Sequence, residues 1–190
     1  MKNKRLISGV MAASMVFSSA VPTFCGNIIL PFSAVTASAL TTEDGNFKYE
    51  IDGDSIKITT YLGSASKVTI PSVIDGKEVT TIGSYMFMLN SSLREVVIPD
   101  TVEEIQSSAF QSSGLKSIVI PSSVETIGSG AFEYCSKLES ITINSGVNTI
   151  ENNAFQDCVM LEEITLPDSV KTLGNAAFNG CKALTSVKLS

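Results

Sequence analysis

Cys135, Cys158 and Cys181 recur at intervals of 23 residues, each three positions after a phenylalanine. Thiols spaced one repeat apart are a starting point for a metal site, but a tetrahedral site takes four ligands. The chain has no histidine, and its remaining cysteine, Cys25, lies near the start. The expectation is therefore a ladder of small, buried, free thiols, with no metal and no other cofactor. A disulfide between neighbours is within geometric reach at a strand spacing of about 4.8 Å, yet an odd count leaves one thiol over. Asp52-Gly53-Asp54 opens like a calcium loop, but the twelfth position, which such a loop fills with Glu, is Gly63; a turn is expected instead. Glu103-Glu104 and Glu162-Glu163 are paired carboxylates of the kind glycosidases use. Adjacent strand residues point to opposite faces, so neither pair can flank one bond.

Composition narrows the function further. Of 190 residues, 44% are hydrophobic and 17% charged, the balance of a globular chain. Thirteen basic side chains face nineteen acidic ones, a net charge of −6, which disfavours a phosphate backbone as partner. Without histidine the commonest general base is missing. No G-x-S-x-G, P-loop or G-x-G-x-x-G occurs. The chain reads as a non-enzyme that binds no nucleic acid.

Residues 1–39 read as a secretory signal peptide. Lys2, Lys4 and Arg5 precede an apolar run from Leu6 to Val21, and a second apolar stretch leads into Ala37-Ser38-Ala39, the order of basic, apolar and small residues that export signals share. Cleavage is expected after Ala39, with Ala37 and Ala20 as alternatives. The first run has 16 residues, is interrupted by serines and ends at Pro22, short of the roughly 20 residues of a spanning helix. Removal would leave ten basic and nineteen acidic side chains, a net charge of −9, and no stable membrane span. The location expected is extracellular, free or at the cell surface.

The remainder repeats. Phe87, Phe110, Phe132, Phe155 and Phe178 are spaced 23, 22, 23 and 23 apart, and Ile98, Ile120, Ile143, Leu166 and Leu189 keep nearly the same step. Units beginning at Leu93, Leu115, Leu138 and Leu161 follow L-x-x-I-x-I-P-x-x-V-x-x-I-x-x-x-A-F, and an unfinished one begins at Leu184. An alternating apolar pair such as Ile141 and Ile143 lies on one face of a short strand. A second short pair follows, then an Ala-Phe pair on a tight or helical turn. A unit of this size cannot bury both flanks alone, so the periodicity predicts a solenoid. Pro71, Pro99, Pro121 and Pro167 come just after a strand's last apolar residue, where a missing N–H breaks no ladder bond; Asn144 holds that slot in the remaining unit.

From about Val68 to Ser190 these units, with L-x-x-I-x-I-P, the later I-G and A-F-x-x-C, resemble the BspA-like class of leucine-rich repeats. Met86 and Asn90 replace Ala and Cys in the first unit, Ser113 stands where Cys is expected, and the unit from Leu93 is one residue short. The resemblance implies a leucine-rich-repeat solenoid, mainly β with short helical or 3-10 turns and a parallel sheet on the concave face. It also implies a bacterial protein, secreted or surface-attached, that adheres to host proteins or other cells.

The organisation expected is a signal peptide (1–39), an amino-terminal β cap (40–67) and about five repeats (68–190), the last truncated. The cap rests on the runs within Phe47 to Tyr61 with the hairpin signal Asp52-Gly53 between them, and a second such signal, Asp75-Gly76, follows within the first repeat. The third and fifth positions of L-x-x-I-x-I alternate away from the core. They place Glu95 and Val97, Ser117 and Val119, Ser140 and Thr142, Glu163 and Thr165, and Ser186 and Lys188 in two stripes about 20–25 Å long across the concave face. So shallow a surface suits a protein or extended polymer better than a small molecule. The alternative reading is a structural repeat domain, or a fragment of a larger surface protein, that self-associates through its uncapped carboxy-terminal edge.

Overall fold

The computed structural model describes residues 39–189. Apart from Ala39, the segment read as an export signal lies outside the described residues. Fifteen strands follow: β1 (Leu40–Thr41), β2 (Phe47–Asp52), β3 (Ser55–Tyr61), β4 (Lys67–Thr69), β5 (Val73–Ile74), β6 (Lys77–Ile82), β7 (Glu95–Val97), β8 (Glu104–Ile105), β9 (Ser117–Ile120), β10 (Thr126–Ile127), β11 (Ser140–Ile143), β12 (Thr149–Ile150), β13 (Glu163–Leu166), β14 (Thr172–Leu173) and β15 (Ser186–Leu189).

Both hairpin signals make hairpins. Strands β2 and β3 pair antiparallel with Asp52 opposite Ser55, so the two loop residues are Gly53 and Asp54 rather than Asp52 and Gly53. Gly53 has φ +60°, the left-handed value that turns of the II′ type put at their first central position. Between β5 and β6, paired antiparallel, Asp75 (φ 51°) and Gly76 (φ 76°) are both left-handed, as a I′ turn requires.

From β3 onward the chain winds in parallel coils. One sheet runs β1-β2-β3-β6-β8-β10-β12-β14, with β5 paired to β6. Along it Ile58, Ile82, Ile105, Ile127, Ile150 and Leu173 lie in register. All but Leu173 are fully buried, while Leu173, on the last coil described, is 49% exposed. The other sheet runs β4-β7-β9-β11, and β13 pairs with β15.

The turns that carry Ala-Phe contain no helix, and none occurs among the described residues; the short helical turns expected above are replaced by another device. Residues two before and two after each phenylalanine have positive φ: Tyr85 and Leu89 around Phe87, Ser108 and Ser112 around Phe110, Gly130 and Tyr134 around Phe132, Asn153 and Asp157 around Phe155, Ala176 and Gly180 around Phe178. A left-handed residue every fourth position stops an α-helix from propagating. It also alternates the amide directions. Ala109, Gln111 and Ser113 N–H close turns onto Gln106, Ser108 and Phe110 carbonyls, while Ser108, Phe110 and Ser112 N–H donate to Ser129, Ala131 and Glu133 carbonyls of the next coil. A helix would satisfy its amides within one coil, whereas this turn spends half of them on the neighbour.

The phenylalanines stack. Phe47, Tyr61, Phe87, Phe110, Phe132, Phe155 and Phe178 form one column with ring centroids 5.0–5.5 Å apart. From Phe87 onward the planes lie within 13° of parallel. Ring spacing follows coil spacing, set by the inter-strand distance of about 4.8 Å. At the amino-terminal end Phe47 and Tyr61 extend the column from the β2–β3 hairpin, which covers the first coil's apolar flank.

Phe132 is fully buried between two rings, whereas Phe178 is only partly buried. In urea titration Phe132→Ala should lower stability by about 3–5 kcal/mol, and Phe178→Ala by clearly less. Equal losses would contradict the stack.

Candidate functional site

The strands that open the units alternate between core and solvent, except on β15, whose inward residues Val187 and Leu189 are exposed. On β9, Ile118 and Ile120 are buried while Ser117 and Val119 are exposed; β11 repeats this with Ile141 and Ile143 against Ser140 and Thr142, and β13 with Ile164 and Leu166 against Glu163 and Thr165. On β7, Val97 is exposed and Glu95 half-buried; on β15, Lys188 is exposed and Ser186 half-buried. Pairing sets one row as Glu95-Ser117-Ser140 and a second as Val119-Thr142. Glu163 pairs with Ser186 and Thr165 with Lys188. The ten residues singled out from the sequence therefore lie on two hydrogen-bonded groups of strands, with β13 beside β11 but on a separate ladder.

The face has a further strand that the sequence analysis left out. Strand β4 pairs with β7, placing Lys67 beside Glu95 and Thr69 beside Val97, both exposed. The signal was present: Val68-Thr69-Ile70-Pro71 has the I-x-I-P form of the later units, with valine for the first isoleucine. The face thus has six strands, β4, β7, β9, β11, β13 and β15.

Charge sits at the two ends of this surface. Lys67 Nζ is 2.7 Å from Glu95 Oε1, and Lys188 Nζ is 2.6 Å from Glu163 Oε2. The hydrogen bond from the Lys188 ammonium, with its charge, holds the Glu163 carboxyl below its ordinary value. Between the ends, Ser117, Val119, Ser140 and Thr142 are uncharged. With Glu95, Val97, Asp100 and Asn144 they line a shallow depression of about 350 Å³. Nothing there resembles a nucleophile beside a base, and the depression is too open to exclude water from a reaction.

The thiols serve the scaffold. Cys135 Sγ donates to the Phe110 carbonyl at 3.0 Å, Cys158 to Phe132 at 3.2 Å and Cys181 to Phe155 at 3.1 Å. Ser113 continues the ladder in the preceding coil, its Oγ 3.4 Å from Cys135 Sγ. Cys135 and Cys158 are buried, but Cys181 is only half-buried, since no described coil lies over it. Burial pushes the Cys135 thiol up to about 11 and raises Cys158 and Cys181 as well. Among the described residues no group of three or more Cys, Asp or Glu side chains is arranged to hold a metal, and no helix is long and apolar enough to cross a membrane.

The family model described as the BspA type leucine-rich repeat region matches residues 57–188 in six copies. The chain belongs to the BspA-type leucine-rich-repeat family. The match begins within β3, where the first of the parallel pairings starts, and its six copies agree with six strands on the face rather than the five counted from the sequence. Among solved structures, the T. pallidum leucine-rich-repeat protein TpLRR is 34% identical with a TM-score of 0.73, over 78% of this chain and 71% of that one. A leucine-rich-repeat protein from Bacteroides ovatus is 30% identical with a TM-score of 0.68, over 76% of this chain and 40% of that one. One from Bacteroides capillosus is 26% identical with a TM-score of 0.54, over 77% and 95%. No curated protein matches this sequence. In this BspA-type solenoid the outward strand positions form a repeated surface, and the inward ones, with the Phe and Cys columns, hold it.

The thiol ladder gives stability a pH dependence. A thiol in the unfolded chain ionises near its ordinary value of about 9, well before the buried Cys135 does. The unfolded state then holds fewer protons than the native one, so stability should be level below about pH 8 and fall as pH rises from about 9 toward 11. Urea midpoints across this range should show the fall, and a Cys135→Ala/Cys158→Ala double variant should flatten it.

Proposed function

We propose that this chain is a secreted or cell-surface recognition module without catalytic activity, which binds a protein or an extended polymer through the six-stranded face. The observation that carries this reading is the middle of that face, where Ser117, Val119, Ser140 and Thr142 present small, uncharged groups, Val and Thr β-branched, between two ion-paired ends. Such a surface offers broad, shallow contact and no enclosed pocket, which favours a macromolecule over a small ligand. Val119 and Thr142 stand directly opposite each other and are exposed, so bulk added there meets a partner without touching the core. The export signal read in residues 1–39 and the family's association with surface adhesion support an extracellular location and, as partner, a host or neighbouring-cell surface protein.

Beads carrying the full chain should adhere to epithelial monolayers or to bacterial cells, and a Val119→Arg/Thr142→Arg variant should lose that adhesion. Its urea midpoint should stay within about 0.5 kcal/mol of the parent, as surface replacements do. Undiminished adhesion by a folded variant would reject the face as the binding surface.

The alternative, self-association through the carboxy-terminal edge, draws on one observation. Leu173, Val187 and Leu189 are 49%, 45% and 82% exposed, while Ile150, Ile164 and Leu166, one coil earlier, are buried. A further coil or a second chain would cover them in the same way. Sedimentation of the full chain over a hundredfold range of concentration should show reversible growth under this reading; a constant monomer would dismiss it.

A further inference from the structure

The six-stranded face begins at β4, and among the described residues no strand pairs with the outer edge of β4. In a parallel ladder the N–H and C=O of alternate residues point to opposite sides. Arg94 and Glu95 N–H donate to the Ser66 carbonyl, and Ile70 N–H donates to the Val97 carbonyl. Ser66, Val68 and Ile70 are thus turned toward β7, which leaves the N–H and C=O of Lys67 and Thr69 facing away from it. The β2–β3 hairpin covers the first coil on the other sheet, whose outermost strand is β1. It adds no strand to β4.

The space beside this edge is a groove. Two cavities of about 540 and 320 Å³ share Asp44, Phe47 and Thr69. Together they run along β4 from Ser64 to Asp75, with the Thr42–Asn46 turn as the opposite wall and the buried ring of Phe47 as floor. Strand β4 itself spans about 10 Å. Sheet edges are often blunted by a lysine, but the Lys67 ammonium is drawn off to Glu95 on β7 at 2.7 Å. The groove is negative. Glu43, Asp44 and Asp75 line it, and none of the ion pairs among the described residues engages them. Neighbouring groups hold two of these carboxylates in place: Thr42 Oγ1 donates to Asp44 Oδ1 at 2.6 Å, Asn46 Nδ2 to Asp44 Oδ2 at 2.7 Å, and Tyr49 Oη to Asp75 Oδ2 at 2.5 Å.

We propose that this groove is a second recognition site, at the β4 edge of the six-stranded face rather than on its outward side chains, in which an extended partner peptide bearing Lys or Arg adds as a strand to β4. The Lys67 and Thr69 backbone groups supply the main-chain pairing of such strand addition, and the three carboxylates select basic side chains.

The test uses the full chain and the peptide acetyl-Lys-Val-Lys-Thr-Lys-Val-Lys-amide, with a Glu-for-Lys version and two isomers N-methylated at alternate amides. On saturation, exchange of the Lys67 and Thr69 amides should slow at least about tenfold. The Glu version and one N-methyl isomer should each bind at least about tenfold more weakly than the parent, and so should the parent peptide to a Glu43→Gln/Asp44→Asn/Asp75→Asn variant. No binding at about 1 mM peptide overturns the proposal. So does equal binding by both N-methyl isomers, which would mean charge attraction without strand pairing. Protection of the two amides before any peptide is added would also overturn it: lost on dilution, it assigns the edge to a second copy, and unchanged, to residues of this chain before Leu40.

Discussion

A coil of 22 or 23 residues carries apolar side chains on both flanks and can cover neither by itself. The main stabilising interactions among the described residues have that burial as their condition: the Ile columns of the two sheets, the aromatic stack from Phe47 to Phe178, and the thiols bonded to the preceding coil's Phe carbonyl all run from coil to coil. Burial falls off where the neighbour is missing. Leu173, Phe178 and Leu189 are more exposed than their equivalents one coil earlier, although the residue types barely change. Stability of this kind adds up from nearest-neighbour contacts, so damage in the middle is felt on both sides and damage at an end on one.

The same condition explains the turn that carries Ala-Phe. A helix would close its hydrogen bonds within one coil and leave its neighbour with unanswered amides. Left-handed residues on either side of each phenylalanine instead send alternate N–H groups to the next coil. Of the ten flanking positions only Gly130 and Gly180 are glycine, and four, Tyr85, Leu89, Tyr134 and Ala176, carry side chains other than Asn, Asp or Ser; the strain of a non-glycine residue there, on the order of 1 kcal/mol each, is offset by the bonds it allows. The phenylalanine between them points inward and stacks, so the turn and the aromatic column are one device.

A scaffold that is uniform along its axis can differ in two places, in what each coil turns outward and at its ends. The outward strand positions are free of packing duties, and their content, charged at the ends and small and uncharged between, can be set by a partner. At the amino-terminal end the hairpin closes one sheet and leaves β4, in the other, with an edge that no described strand pairs and an acidic groove beside it. The face and the groove are physically different kinds of surface: side chains make the first, main-chain groups dominate the second.

The solenoid, the strand that opens each unit, the Phe, Ile and Cys columns, and the ten outward residues were legible in the sequence because each depends only on spacing, and spacing survives in one dimension. Lys67 and Thr69 were missed because Val68 departs from the isoleucine of the later units, although Ile70-Pro71 kept the motif. The turns stayed open between tight and helical because Gly and Ser near Ala-Phe fit both; the choice belongs to hydrogen bonds made with the adjacent coil. The half-burial of Cys181, the split of the six-stranded face between two ladders, and the open edge of β4 had no signature at all. Residue type and period by themselves determined what each coil buries and what it shows. Only the tertiary structure decided which backbone groups have a partner, because that depends on which coil, if any, lies alongside.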